Sequence, residues 1–197
     1  MFKFDGQTEN YETIKCKDLK KHGGSIFVQV RTHLYSFNKT YDQWLCWSNL
    51  ESNPVTIEAK AMTKVRRNAP LANYKDKFIV APGGLKNNEA TSKGVYSVEL
   101  YSVKNDSWRD GPTLHYKRVD HSCCTLGDSV YVFGGTGGTD SIESLNVEAF
   151  RANPKSIKQW TLIKPKHKDG FNGMLKPIFC PISETEILIL GGSKKLD

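Results

Sequence analysis

No apolar stretch in this chain approaches the roughly 18 residues that a membrane-spanning helix needs. The opening Met1-Phe2-Lys3-Phe4-Asp5 lacks the apolar core of a secretory signal, so export is not expected. A CxxC pair is missing too. The five cysteines (Cys16, Cys46, Cys123, Cys124 and Cys180) are scattered, odd in number and without a regular framework. They read as reduced thiols in a cytoplasmic or otherwise intracellular protein. Helical signals are almost absent, since no segment holds an i, i+3, i+4, i+7 apolar stripe with caps. There is no nucleophile elbow, no HExxH and no recognisable pair of carboxylates. The sequence therefore predicts no catalytic residue, no metal site and no cofactor.

What is present is an ordinary globular composition. Of 197 residues 38% are hydrophobic and 25% charged, which fits one soluble domain. The formal charge is +7, but the lysines are dispersed in small groups such as Lys20-Lys21, Arg66-Arg67 and Lys194-Lys195. Dispersed lysine is the pattern of a solvated surface, and nucleic acid is not the expected partner.

Four short apolar runs organise the chain: Ile26-Phe27-Val28, Phe78-Ile79-Val80, Val130-Tyr131-Val132-Phe133 and Ile187-Leu188-Ile189-Leu190. They are too short for buried helices and rich in β-branched and aromatic residues, so each is expected to be a strand buried on both faces. The last three lead into glycine pairs, Gly83-Gly84, Gly134-Gly135 and Gly191-Gly192. Aromatic pairs seven positions apart follow: Phe37 with Trp44 and Tyr101 with Trp108, and the same spacing joins Phe4 to Tyr11. Phe150 and Trp160 are read as a longer version of the same hairpin. The runs begin at Ile26, Phe78, Val130 and Ile187, stepping by 52, 52 and 57 residues. A step of about 50 marks repeated blades. Such blades are antiparallel sheets that bury both faces, with glycine where no Cβ is tolerated or where φ must be positive, and aromatics between neighbours.

Strand, glycine pair, aromatic and Trp in that order resemble the Kelch motif. The best copy runs from Arg118 through His121, Leu126-Gly127-Asp128, Gly134-Gly135 and Phe150 to Trp160. A second runs from Arg67 through Gly83-Gly84 and Tyr101 to Trp108. The resemblance implies an all-β fold, a β-propeller of four-stranded antiparallel blades. The chain 1–197 reads as a single propeller region of about four blades' worth. Outer strands lie in 1–15, an irregular blade in 16–65, blades in 66–117 and 118–165, and inner strands in 172–192. An open arc or a piece of a longer propeller is expected in preference to a closed four-bladed ring, and self-association through terminal blade faces would follow.

Function is expected from loops at the ends of the blades, of which 48–66, 85–93, 136–141 and 164–173 are the longest. Arg66, Arg67 and Asn68, with His115, Tyr116, Lys117 and Arg118, precede inner strands of successive blades. Together they would make a basic, aromatic rim suited to an acidic peptide. The resemblance implies a non-catalytic protein-interaction scaffold. A small-ligand or enzymatic site in a central channel, and nucleic-acid binding through the basic surface, are the alternatives. The resemblance also gives Arg118 and His121 a bracing role between blades. Gly134-Gly135-Thr136-Gly137-Gly138-Thr139 reads as a plain loop and not a phosphate cradle, because a strand and not a helix is expected behind it.

Overall fold

The computed structural model describes residues 2–5, 10–13, 26–37, 44–48, 55–86, 94–137, 141–164 and 174–194, of which 2–5, 10–13 and 193–194 are described as backbone only. Cys16, Lys20-Lys21, the turn Asn38-Lys39-Thr40, Gly138, Thr139, Lys195 and most of the loops 85–93 and 164–173 lie outside them. The chain divides into two compact units, Met1–Met62 and Thr63–Asp197.

In the first unit β1 (Phe2–Asp5) pairs with β2 (Asn10–Thr13), placing Phe4 opposite Tyr11. A four-stranded antiparallel sheet follows: β3 (Phe27–Val30), β4 (His33–Phe37), β5 (Trp44–Ser48) and β6 (Val55–Ala59). Trp44 and Trp47 are fully buried, and Trp44 packs on Phe37 with ring centroids 4.4 Å apart. The run Ile26-Phe27-Val28, aligned by sequence with the strands that precede the glycine pairs, forms the first strand of its sheet and not the second. The second strand is β4, so Phe37 and Trp44 face each other across strands two and three. In the next blade Tyr101 and Trp108 face each other across strands three and four. Spacing alone reports a hairpin without reporting which hairpin of the blade it is.

Among its described residues the second unit holds two complete blades. One is β8 (Ala72–Tyr74), β9 (Phe78–Pro82), β11 (Val98–Ser102) and β12 (Ser107–Asp110), preceded by β7 (Arg66–Arg67), which pairs with β10 (Leu85–Lys86). The other is β13 (Ser122–Leu126), β14 (Ser129–Phe133), β15 (Ile142–Asn146) and β16 (Thr161–Ile163). Beyond them β17 (Met174–Leu175) pairs with β20 (Ser193–Lys194), and β18 (Ile178–Pro181) with β19 (Ile187–Leu190). The fold is all-β with four-stranded antiparallel blades. A fourth complete blade, which closure as a four-bladed ring would need, is absent among the described residues.

Tight turns join the first two strands of these blades. Leu126 pairs with Ser129 around Gly127-Asp128, and Gly127 takes a φ of +57°. That positive φ suits the right-handed twist of the flanking strands. Between the two blades, Tyr74, Val80 and Leu100 pack with Val130, Val132, Leu145 and Trp160 in one apolar core. β9 and β14 are largely buried on both faces, as their β-branched composition predicts. β19 departs from that expectation, with Leu188 42% and Leu190 47% exposed.

One helix, α1 (Val147–Ala152), interrupts the strands between β15 and β16. The Asn146 side chain accepts from the Ala149 N–H at 2.8 Å and caps it, with Glu148 in the first turn and Arg151 in the last. Phe150 rides on this helix, so it is not the strand partner of Trp160. Ser144 opposite Thr161 brings Leu145 level with Trp160, and Leu145 therefore occupies the place that Tyr101 has in the preceding blade.

Candidate functional site

Arg66 and Arg118 hold equivalent places. Each guanidinium bonds the carbonyl of the first glycine in its blade's pair, Gly83 at 3.2 Å and Gly134 at 2.8 Å. Each also bonds the carbonyl of the serine just before the third strand, Ser97 or Ser141. Each is ion-paired to a glutamate on that strand, Arg66 to Glu99 at 2.6 Å and Arg118 to Glu143 at 2.9 Å. The second carboxylate oxygens accept backbone N–H groups, from Thr63 at 3.1 Å and His115 at 2.5 Å. Both arginines are buried, 2% and 0% exposed. Burial pulls their pKa values down and the paired carboxylates pull them back.

This corrects the basic rim. Arg66 and Arg118 are buried braces whose guanidinium groups bond carbonyls and a carboxylate inside their own blades, not an exposed basic rim. Glu99 and Glu143 were missed in the sequence. Their signal was available: Ser97-Val98-Glu99 and Ser141-Ile142-Glu143 both read serine, β-branched residue, glutamate, at the same place after the glycine pair's strand.

The glycine pairs join blades. The Gly84 N–H donates to the Arg118 carbonyl at 2.9 Å, and the Gly135 N–H to that of Met174 at 2.8 Å. A Cβ on Gly134 would come within 2.6 Å of the Met174 carbonyl of the next sheet, and one on Gly135 would strike the Val119 carbonyl of its own blade. Their φ values are +72° and +80°. Both the space and the dihedral exclude a side chain there. Met174 holds the place of Arg66 and Arg118 in the last copy. Gly192 would meet the Leu175 carbonyl at 3.2 Å, while Gly191 has nothing within 4 Å of its would-be Cβ.

His121 reaches across to the Pro82 carbonyl of the preceding blade at 3.1 Å. A carbonyl only accepts, so the imidazole carries its proton on Nε2. Burial first, and then the nearby Arg118, push its pKa down to about 3. The phosphate-cradle alternative for the loop after Gly134 has no helix behind it, since β15 follows. On β13, burial raises Cys123 well above its ordinary value and Cys124 to about 12, so neither is a ready thiolate.

A profile of the Kelch motif matches residues 117–166, the segment that carries Arg118, His121, Gly134-Gly135, Glu143 and Trp160. Residues 117–166 carry a Kelch motif. The chain's relatives include the Kelch-like protein 36 of Bos taurus, 32% identical over 60% of this chain and 18% of that protein. The Mus musculus Kelch-like protein 36 is 33% identical over 47% of the chain and 15% of the relative. The Rattus norvegicus Kelch-like protein 38 is 28% identical over 52% and 17%. The matches thus span less than a fifth of these relatives' length.

With the two arginines inside, the Kelch blades leave a smaller polar surface at their loop ends. Tyr116 is 38% exposed, and Tyr96, which the sequence reading did not single out, is 45% exposed. The Lys117 ammonium lies 5.3 Å from the Tyr96 ring centre. Beside them a cleft of about 350 Å³ is lined by Lys64, Lys86, Val95 and Ser97, with Arg66 in its wall. Lys64 pairs with Asp110 at 2.5 Å. His115 is half-buried and donates Nε2–H to the Trp160 carbonyl at 2.8 Å. Arg67 and Asn68 are also half-buried, with Asn68 at a φ of +55°. Among the described residues no helix is long and apolar enough to cross a membrane.

Proposed function

We propose that this Kelch chain is a non-catalytic protein-interaction module, and that its loop-end surface takes an acidic peptide segment. The observation that carries this reading is the exposed pair Tyr96 and Tyr116 with the Lys117 ammonium held over the Tyr96 ring. Exposed tyrosines bring large contact area at small entropic cost, and a cation beside them selects a carboxylate. Lys86 lines the adjacent cleft, beside Lys64 with its Asp110 partner. The test is fluorescence anisotropy of a labelled glutamate-rich decapeptide. Saturable binding that weakens about tenfold or more in Tyr96→Ala and Lys117→Ala supports the reading. No saturation, or binding that these variants leave unchanged, overturns it. Tighter binding to a single-stranded oligonucleotide, falling steeply with salt, would move the assignment to nucleic acid.

A second contact, to another copy of this chain, is supported by the sheet β18–β19. Ile178 is 63%, Leu188 42% and Leu190 47% exposed, beside the open position at Gly191. The equivalent positions at Gly83 and Gly134 are filled by lead-in segments of the following sheet, of a kind that a second copy also carries. Sedimentation velocity over a range of concentrations tests this: a strictly monomeric chain at the highest concentration would rule it out.

A further inference from the structure

At the far end of β9 from the loop surface, two arginines converge on one ring. The Arg109 guanidinium lies 5.6 Å from the centre of Phe78 and 5.1 Å from that of Phe150, and the Arg151 guanidinium lies 5.1 Å from Phe78. Phe78 opens β9, Arg109 stands on β12, and Phe150 and Arg151 sit on α1, so the cluster depends on the helix inserted into the following blade. Four residue steps along β9, about 13 Å, separate Phe78 from Pro82 at the loop end.

The charges here do not balance. Arg151 is paired with Glu148 at 2.6 Å, and the other oxygen of Glu148 accepts from the Tyr74 hydroxyl at 3.3 Å. Asp110, next to Arg109, points to the opposite side of its strand and pairs with Lys64. Among the described residues no carboxylate is paired with Arg109. Partial burial and then the like charge of Arg151 lower the pKa of Arg109. Among the described residues, the two cations thus stand beside one carboxylate, Glu148, which pairs with Arg151. The planar fork of Arg109, oriented by two rings, is half of a bidentate pair.

We infer that Arg109, positioned on Phe78 and Phe150 beside Arg151, is an anchor for a carboxylate of a partner protein, at a site separate from the loop-end surface. One carboxylate completes the Arg109 fork and neutralises the single excess charge, which is why it fits better than a doubly charged phosphate. The carboxylate comes from an acidic side chain or from a chain terminus, and the same chemistry recognises both.

The experiment follows the arginine Nε–Hε resonances of the full chain by NMR at constant ionic strength. The probes are acetyl-tetraglutamate amide, acetyl-tetraalanine with a free carboxylate, and inorganic phosphate. The expected result is a saturable shift of Arg109 with one or both carboxylate probes, tetraglutamate marking a side-chain source and tetraalanine a terminal one. In Arg109→Lys, with melting unchanged, the same titration followed on the neighbouring Arg151 Nε–Hε resonance should be about tenfold weaker or more, because the ammonium keeps the charge and loses the fork. Lys117→Ala should leave the Arg109 shift intact, which separates this site from the loop-end surface. A shift that never saturates, that survives Arg109→Lys, or that phosphate produces at lower concentration overturns the assignment.

Discussion

Arg118 and Glu143 are ion-paired at 2.9 Å with both side chains wholly out of solvent, and Arg66 and Glu99 repeat the pair in the preceding blade. A buried ion pair adds little net stability against an apolar replacement, but losing one partner leaves an uncompensated charge.

Arg118→Met should therefore cost about 3–5 kcal/mol, since it strands Glu143 and the Gly134 and Ser141 carbonyls. Adding Glu143→Leu should recover much of that loss, as Met174 holds the equivalent place without an arginine. Urea unfolding of the two singles and the double checks this. If the double is as unstable as the sum of the singles, the pair is not a coupled unit.

His121 gives a pH dependence with a definite sign. Its folded pKa of about 3 lies below the ordinary 6.5, so the unfolded state takes up the proton first. Stability is full above about pH 6.5 and falls as pH drops toward 3, by about 1.4 kcal/mol per unit. Urea midpoints at pH 7, 6 and 5 should fall more in the parent than in His121→Gln, which retains an N–H donor for Pro82. Equal slopes would mean that the imidazole is not buried neutral.

The glycines should separate into two classes. Gly127→Ala meets nothing within 4 Å and bears only its positive φ, at a cost of about 1–2 kcal/mol. Gly134→Ala and Gly135→Ala add collisions with backbone carbonyls and should cost distinctly more, or prevent folding. Gly191→Ala should behave like Gly127→Ala in the monomer. Thermal melting of the four variants gives the ranking.

The thiols should differ in reactivity. Cys180 is exposed, whereas Cys46 and Cys124 are buried and Cys123 is half-buried with its pKa pushed well up. A disulfide reagent at pH 8 should modify Cys180 quickly and Cys46, Cys123 and Cys124 only on unfolding, as read by mass spectrometry of peptides. Fast modification of Cys124 would contradict the packing of β13 against β18.

Much of the architecture was legible in the chain. The seven-residue spacings Phe4 to Tyr11, Phe37 to Trp44 and Tyr101 to Trp108 all prove to be directly opposed strand partners. Phe150 misled, because an aromatic at roughly the right place sits on a capped helix, and Leu145 takes the strand position. That helix carried a capping asparagine and a basic last turn, but six residues are too few to show a stripe.

By itself the sequence determined the repeat, the all-β class and the paired positions whose positive φ calls for glycine. Each depends on spacing along the chain: strand alternation, turns and glycine dihedrals are local. Only the tertiary structure decided which charges are spent and which remain. Arg66 meets Glu99 across 33 residues and Arg118 meets Glu143 across 25, so a basic cluster in the sequence became two internal braces. Arg109, unremarkable in sequence, has no paired carboxylate among the described residues, because the strand turns Asp110 away and the carboxylate that the helix from the next blade brings, Glu148, pairs with Arg151. Charge pairing over such separations depends on how blades stack, and no local pattern encodes it.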